Sequence, residues 1–201
     1  MQRLLVATRN RGKLREIDAA LRPLGIEVQG LESLGEPPEV EETGSTFEDN
    51  ARLKAEAYSR HTHMLVLAED SGLEVDALGG QPGVRSARFG GPGLDDNGRN
   101  RKLLDALRDV EPSRRTARFR CALAVARQGQ VLETFHGVIE GRILAEPRGE
   151  HGFGYDPLFF HPSSGCTTAE LTTTEKQQVS HRGQALAAFL DALRRGDPRL
   201  A

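Results

Sequence analysis

The sequence predicts an α/β fold, a mixed β-sheet flanked by helices, and three observations carry that expectation. Two continuous apolar runs, Leu4-Leu5-Val6-Ala7 and Leu65-Val66-Leu67-Ala68, read as strands buried on both faces, the habit of parallel strands. Between them lie stretches whose apolar residues recur at helical spacing. Further on, Ala117, Phe119, Cys121, Leu123 and Val125 alternate with Arg118, Arg120, Ala122 and Ala124. Gln128-Gly129 then turns the chain into a second long strand over Val131–Gly141, an antiparallel hairpin beside the parallel core.

Length and composition narrow the class. With 201 residues the chain makes one large domain or two small lobes. No linker or internal repeat marks a boundary, so a single domain over 1–201 is expected. The charged fraction is 28% and the net charge −2, which leaves no bulk attraction for a nucleic-acid polymer. Any polyanion must meet a local cationic pocket. No apolar run approaches the roughly 20 residues that span a bilayer, so no membrane is expected. The apolar stretch after Arg3 is too short for a signal peptide, and the 2 cysteines, Cys121 and Cys166, lack metal spacing. A cytoplasmic protein is the default expectation.

Taken in order, the first strand runs into Thr8-Arg9-Asn10-Arg11-Gly12-Lys13, then a helix with Leu14, Ile17, Leu21 and Leu24, closed by Pro23 and Gly25. Strand, glycine-bearing polar loop and helix is the arrangement that points backbone amides at an anion. It is not a Walker A loop, since Leu14 stands where Ser or Thr would hold magnesium. An ordinary turn with a solvated lysine is the competing reading. Ile26-Glu27-Val28 is a short strand, and residues 36–44 form an acidic loop in which Glu41 or Glu42 is a metal-ligand candidate. Thr46 caps a helix reaching about Arg60, whose Lys54 packs its stem on a small-residue face.

Directly after Ala68 come Glu69, Asp70, Ser71 and Gly72, expected to emerge beyond the strand's carboxyl end, where open α/β sheets bind ligands. Two carboxylates beside a glycine suit a magnesium–phosphate site. Residues 77–89 read as an ordered loop or short helix, and Asp95 or Asp96 starts a helix carrying Leu103, Leu104 and Leu107. Glycines around Phe153 permit close approach to a flat ligand, ahead of the strand Leu158–Phe160. Ser180 caps the last helix, ended by Gly196. His181 and Arg182 in its first turn oppose the helix dipole, which a bound anion or base carbonyl would explain.

Six motifs carry a resemblance. These are Thr8-x-Asn-x-Gly-Lys13, Glu41-Glu42-Thr43-Gly44-x-Thr46-Phe47-x-x-Asn50-Ala51, Asp70-Ser71-Gly72-Leu73, Gly79-Gly80-x-Pro82-Gly83, Phe153-Gly154-Tyr155-Asp156-Pro157 and Ser180-His181-Arg182-Gly183-x-Ala185-Leu186. Together they resemble the HAM1-like noncanonical purine nucleoside triphosphate pyrophosphatases, the inosine triphosphatase family, over nearly the whole chain. The resemblance implies an elongated sheet, two lobes with a nucleotide-binding cleft between them, and a homodimer. It implies hydrolysis of inosine, deoxyinosine and xanthosine triphosphates (ITP, dITP, XTP) to monophosphate and pyrophosphate with Mg2+. On this chain Asp70 would be the proton acceptor and, with Glu41, a metal ligand. Thr8, Arg9, Asn10, Arg11, Gly12 and Lys13 would cradle the triphosphate, and Ser71 would touch the substrate; on residue chemistry alone, Lys54 joins Lys13 and magnesium in holding the pyrophosphate leaving group. Phe153, Gly154, Tyr155, Asp156, Lys176, His181 and Arg182 would surround the nucleoside.

Glu69 stands where the family usually has Asp, so no ligand role is given to it. No Ser–His–Asp or Cys–His arrangement is evident, which favours direct attack by water. Two alternatives are a Maf-like nucleotide pyrophosphatase, against which the purine-side motifs argue, and a non-enzymatic nucleotide-binding module. The second has no need of clustered acids.

Overall fold

The computed structural model describes residues 3–200; residues 1, 2 and 201, at the two ends of the domain expected over 1–201, lie outside the described residues. The strands are β1 (Arg3–Ala7), β2 (Glu27–Gln29), β3 (Leu65–Val75), β4 (Thr116–Arg127), β5 (Gln130–Ile143), β6 (Phe159–His161) and β7 (Cys166–Thr167). They form one sheet in the order β2-β1-β3-β4-β5-β6-β7. The α-helices are α1 (Arg11–Leu21), α2 (Phe47–Ser59), α3 (Asp96–Ala106), α4 (Thr173–Val179) and α5 (His181–Arg194). The sheet is mixed: β1 pairs in parallel with β2 and β3, whereas β6 is antiparallel to β5 and β7. No helix among the described residues is long and apolar enough to cross a membrane.

The chain packs as two compact units, Met1–Asp70 with Cys121–Gly137 and Arg182–Ala201, and Ser71–Arg120 with Val138–His181. In the first, Leu4, Val6, Leu65 and Leu67 of the parallel strands meet Ile17 and Leu21 of α1 and Leu186 and Phe189 of α5. Burying side chains of this size stabilises by about 1.5–3 kcal/mol each relative to exposure. Gln128 (φ 52°) and Gly129 (φ 81°) make the two-residue turn from β4 to β5, and the Gly129 amide donates to Ser59 Oγ at 2.9 Å. In the second unit, Leu73, Val75, Leu103, Phe119, Ile139 and Phe159 belong to a separate core, with the Phe119 and Phe159 rings 4.6 Å apart.

The helices begin where side chains cap them. Asn10 Oδ1 accepts from the Gly12 and Lys13 amides at 2.8 and 3.1 Å. Thr46 and Asp49 form a reciprocal capping box on α2, and Thr172 and Glu175 another on α4. Asp95 caps α3 through the Gly98 amide.

One expectation needs correction. Glu69, Asp70, Ser71 and Gly72 do not emerge beyond a strand; β3 continues through them to Val75. Its parallel partner stops instead, since the β1–β3 register ends at Ala7 opposite Ala68. The two carboxylates therefore project just past the carboxyl end of β1, where its loop turns into α1, and a continuous strand holds them.

Candidate active site

The first unit concentrates charge around those carboxylates. Asp70 is buried, and Asn50 Nδ2 donates to its Oδ2 at 3.1 Å. Asn50 Oδ1 in turn accepts from the Gly44 amide at 2.8 Å. A Cβ on Gly44 would lie 2.5 Å from Asp49 Cβ and 2.7 Å from Asn50 Oδ1, so only glycine lets the acidic loop close on α2 here. Lys54 Nζ donates to Glu42 Oε1 at 2.5 Å and to the Glu69 carbonyl at 2.8 Å, and lies 3.6 Å from Asp70 Oδ1. Burial raises the Asp70 carboxyl above the ordinary aspartate value; Lys54 and Lys13 oppose the shift, Glu42 adds to it, and the Asn50 bond lowers it. A carboxylate whose pKa is raised is a stronger proton acceptor than an ordinary aspartate.

The acidic loop brings Glu42, not Glu41, into contact with Lys54. Glu41 is exposed, whereas Glu42 is half-buried. Two adjacent glutamates cannot be told apart without knowing which way the loop turns. Glu42 and Asp70 offer hard carboxylate oxygens around one ammonium, the donor chemistry that fits a magnesium ion. Among the described residues no three His, Cys, Asp or Glu side chains converge as ligands. One or two carboxylates completed by phosphate oxygens and water is the usual magnesium complement.

Glu69 is almost fully buried and has a different task. Its two oxygens take a bidentate pair from Arg182, Nε at 2.7 Å and Nη2 at 2.8 Å, and Arg182 Nη1 also pairs with Glu16 of α1. Lys13 Nζ lies 3.4 Å from Glu69 Oε1. Lys13 near the start of α1 and Arg182 at the start of α5, which oppose the helix dipoles, thus have carboxylate partners inside the protein. The longer glutamate side chain is consistent with this reach to Arg182. Burial pushes the Cys121 thiol well up, with the Glu69 charge adding to the shift, which disfavours the thiolate.

At the start of α1, Thr8 Oγ1 accepts from the Asn10 amide at 3.1 Å, while Arg9 and Arg11 are exposed. The loop is pre-shaped, with its guanidinium groups in solvent.

The second unit holds the other candidate residues. Ser71 is half-buried on β3. Asp156, buried, accepts from the Phe153 amide (2.8 Å), Thr168 Oγ1 (2.9 Å) and Lys176 Nζ (2.5 Å). The Lys176 ammonium lies 5.1 Å from the Phe153 ring centroid. Gly152 has φ 77°, and a Cβ there would sit 2.1 Å from Asp156 Oδ2, so glycine is obligatory. Gly154 uses both of its backbone groups: its amide donates to Asp96 Oδ2 (2.7 Å) and its carbonyl accepts from Asn100 Nδ2 (3.0 Å). Tyr155 donates its hydroxyl to the Ser86 carbonyl at 2.8 Å, and burial pushes that phenol up. His181 is buried and stacks on Phe119, with centroids 4.9 Å apart and planes 11° from parallel.

Comparison with known proteins is consistent with these motifs. A relative from Bacillus licheniformis, named dITP/XTP pyrophosphatase, is 50% identical over 194 residues, covering 95% of this chain and 99% of its own. One of the same name from Geobacter sulfurreducens is 52% identical over 193 residues, covering 96% and 97%. The solved structure of a HAM1 protein from Coxiella burnetii superposes with a TM-score of 0.87 at 42% identity, covering 98% of this chain and 100% of that one. The Ham1 family model matches residues 4–192, and the chain belongs to the Ham1 family.

Proposed function

We propose that this chain is a nucleoside triphosphate pyrophosphatase that hydrolyses dITP, ITP and XTP to the monophosphate and pyrophosphate. The observation that carries the reading is Asp70, a buried carboxyl oriented by Asn50 and set beside Lys54 and Glu42. The name shared by the relatives supplies the substrate class.

Water attacks the α-phosphorus and Asp70 takes its proton, while the bond to the bridging oxygen breaks and pyrophosphate leaves. Lys13 and Lys54 neutralise the charge that collects on the leaving group. The Thr8–Lys13 loop, with Arg9, Asn10, Arg11 and Gly12, cradles the phosphates, and Ser71 touches them. Glu42 and Asp70 would hold Mg2+, which when bound would polarise the phosphoryl oxygens; Glu41, the ligand that the resemblance implies beside Asp70, is the alternative to Glu42. Phe153, Gly154, Tyr155, Asp156, Lys176 and His181 belong to base recognition, the ring of Phe153 offering a stacking face. Arg182, committed to Glu69 and Glu16, acts on substrate by holding that strand and helix in register. A cytoplasmic homodimer, acting on the nucleotide pool, belongs to the same proposal and rests on resemblance.

Pyrophosphate release from a panel of dITP, XTP, dATP, dGTP and dCTP, with and without magnesium, tests the reading. Release from dITP and XTP at rates at least about tenfold above the others is expected, given what one well-placed polar group discriminates. Orthophosphate as the product, or equal rates across the panel, overturns it.

A further inference from the structure

Two side chains of α3, Asp96 and Asn100, are four residues apart and so share one helix face. Both reach Gly154, 58 and 54 residues away in the chain, and each takes a different backbone group of it. A peptide plane is rigid, so pinning the amide before the Gly154 Cα and the carbonyl after it fixes both of its dihedral angles. Gly154 sits at φ 62°, a conformation that a free glycine leaves at no cost. From that one residue the chain runs back to Phe153 and forward to Asp156.

The helix side of the clamp is itself braced. Arg99 Nη2 pairs with the other oxygen of Asp96 at 3.2 Å, and the Asp95 cap starts the helix immediately before it. Asn100 is 6% exposed, and its Oδ1 is buried with no hydrogen-bond partner among the described residues. A buried acceptor left unpaired costs stability, so packing alone would place an apolar side chain there. The residue earns its position through its one bond to Gly154.

We infer that Asp96 and Asn100 are positioning residues that set base selectivity by locking the Gly154 peptide planes. The inference rests on the base-recognition role proposed above for Phe153–Asp156. Neither side chain is needed to touch the nucleotide.

The test combines Asn100→Leu, Asp96→Ala and Asp96→Asn in the full chain. Amide hydrogen exchange at Gly154 is followed, along with kcat/KM for dITP and dATP. Asn100→Leu and Asp96→Ala should speed Gly154 exchange at least about tenfold and narrow the dITP-to-dATP ratio by a similar factor, with most of the change in KM. Asp96→Asn keeps an acceptor and should restore most of what Asp96→Ala loses. Equal losses on both substrates, or an unchanged ratio with Gly154 exchange accelerated, overturn the selectivity role. Unchanged Gly154 exchange overturns the clamp. If the parent releases no pyrophosphate from dITP, the functional reading fails, while the exchange measurement still decides the clamp.

Discussion

The charged cluster of the first unit and the Phe153–Asp156 loop of the second are built on different physics. Around Glu69 and Asp70, four carboxylates (with Glu16 and Glu42) face Lys13, Lys54 and Arg182, nearly all of them well buried. Around Asp156, among the described residues, there is one ion pair, and two glycines, an aromatic ring and hydrogen bonds from backbone amides and a hydroxyl to carboxylate oxygens do the rest. A cluster of opposed charges can change partners when a polyanion arrives, because an ammonium paired with a carboxylate gains as much from a phosphate. A loop held by directional bonds from its own amides to fixed carboxylates keeps its shape. The first suits charge neutralisation and proton transfer; the second suits discrimination between bases.

That contrast breaks most visibly at the buried guanidinium. Arg182→Leu takes the guanidinium from Glu16 and leaves Glu69 only its longer contact with Lys13, and removing one partner of a buried pair costs about 3–5 kcal/mol. Lys176→Leu leaves Asp156 its bonds to the Phe153 amide and Thr168, and should cost clearly less. Urea midpoints for the two variants measure this, and equal losses would erase the distinction drawn between the units.

A smaller effect separates the neighbouring glutamates. Glu42→Gln should raise the magnesium concentration for half-maximal activity about tenfold or more, by weakening one of two carboxylate contacts, whereas Glu41→Gln should leave it within about twofold. The reverse result would restore Glu41 as the ligand and turn the acidic loop the other way.

The smallest effect is a titration. Burial raises the Asp70 pKa and the Asn50 bond holds it down, so Asn50→Leu should move it further up. A proton acceptor works ionised, so the acid limb of activity would move up with it. Carbon-13 titration of Asp70 in metal-free protein reads the shift directly. A downward move would mean that Asn50 does not stabilise the carboxylate.

Much of this was legible in the residues. The apolar runs at residues 4–7 and 65–68, the Thr46 cap and the Gln128-Gly129 turn each state their structure locally. The length of β3 does not, because Glu-Asp-Ser-Gly reads as a turn and only sheet pairing carries the strand through it. α4 was missed although Thr172-x-x-Glu175 is a capping-box signature that marks its start. The partners of Arg182 lie 113 and 166 residues away, so no local pattern could show the carboxylates that tertiary structure brings to its guanidinium. The hold of Asp96 and Asn100 on Gly154 is equally non-local.

The central claim is that Asp70 carries the proton of a direct water attack. Asp70→Asn preserves shape and its contact with Asn50 while removing the basic oxygen. Steady-state pyrophosphate release from dITP, measured beside the parent with circular dichroism confirming the fold, should fall by at least about a hundredfold, the lower end of what general-base catalysis contributes. Turnover within a few-fold of the parent by a folded variant would contradict the account.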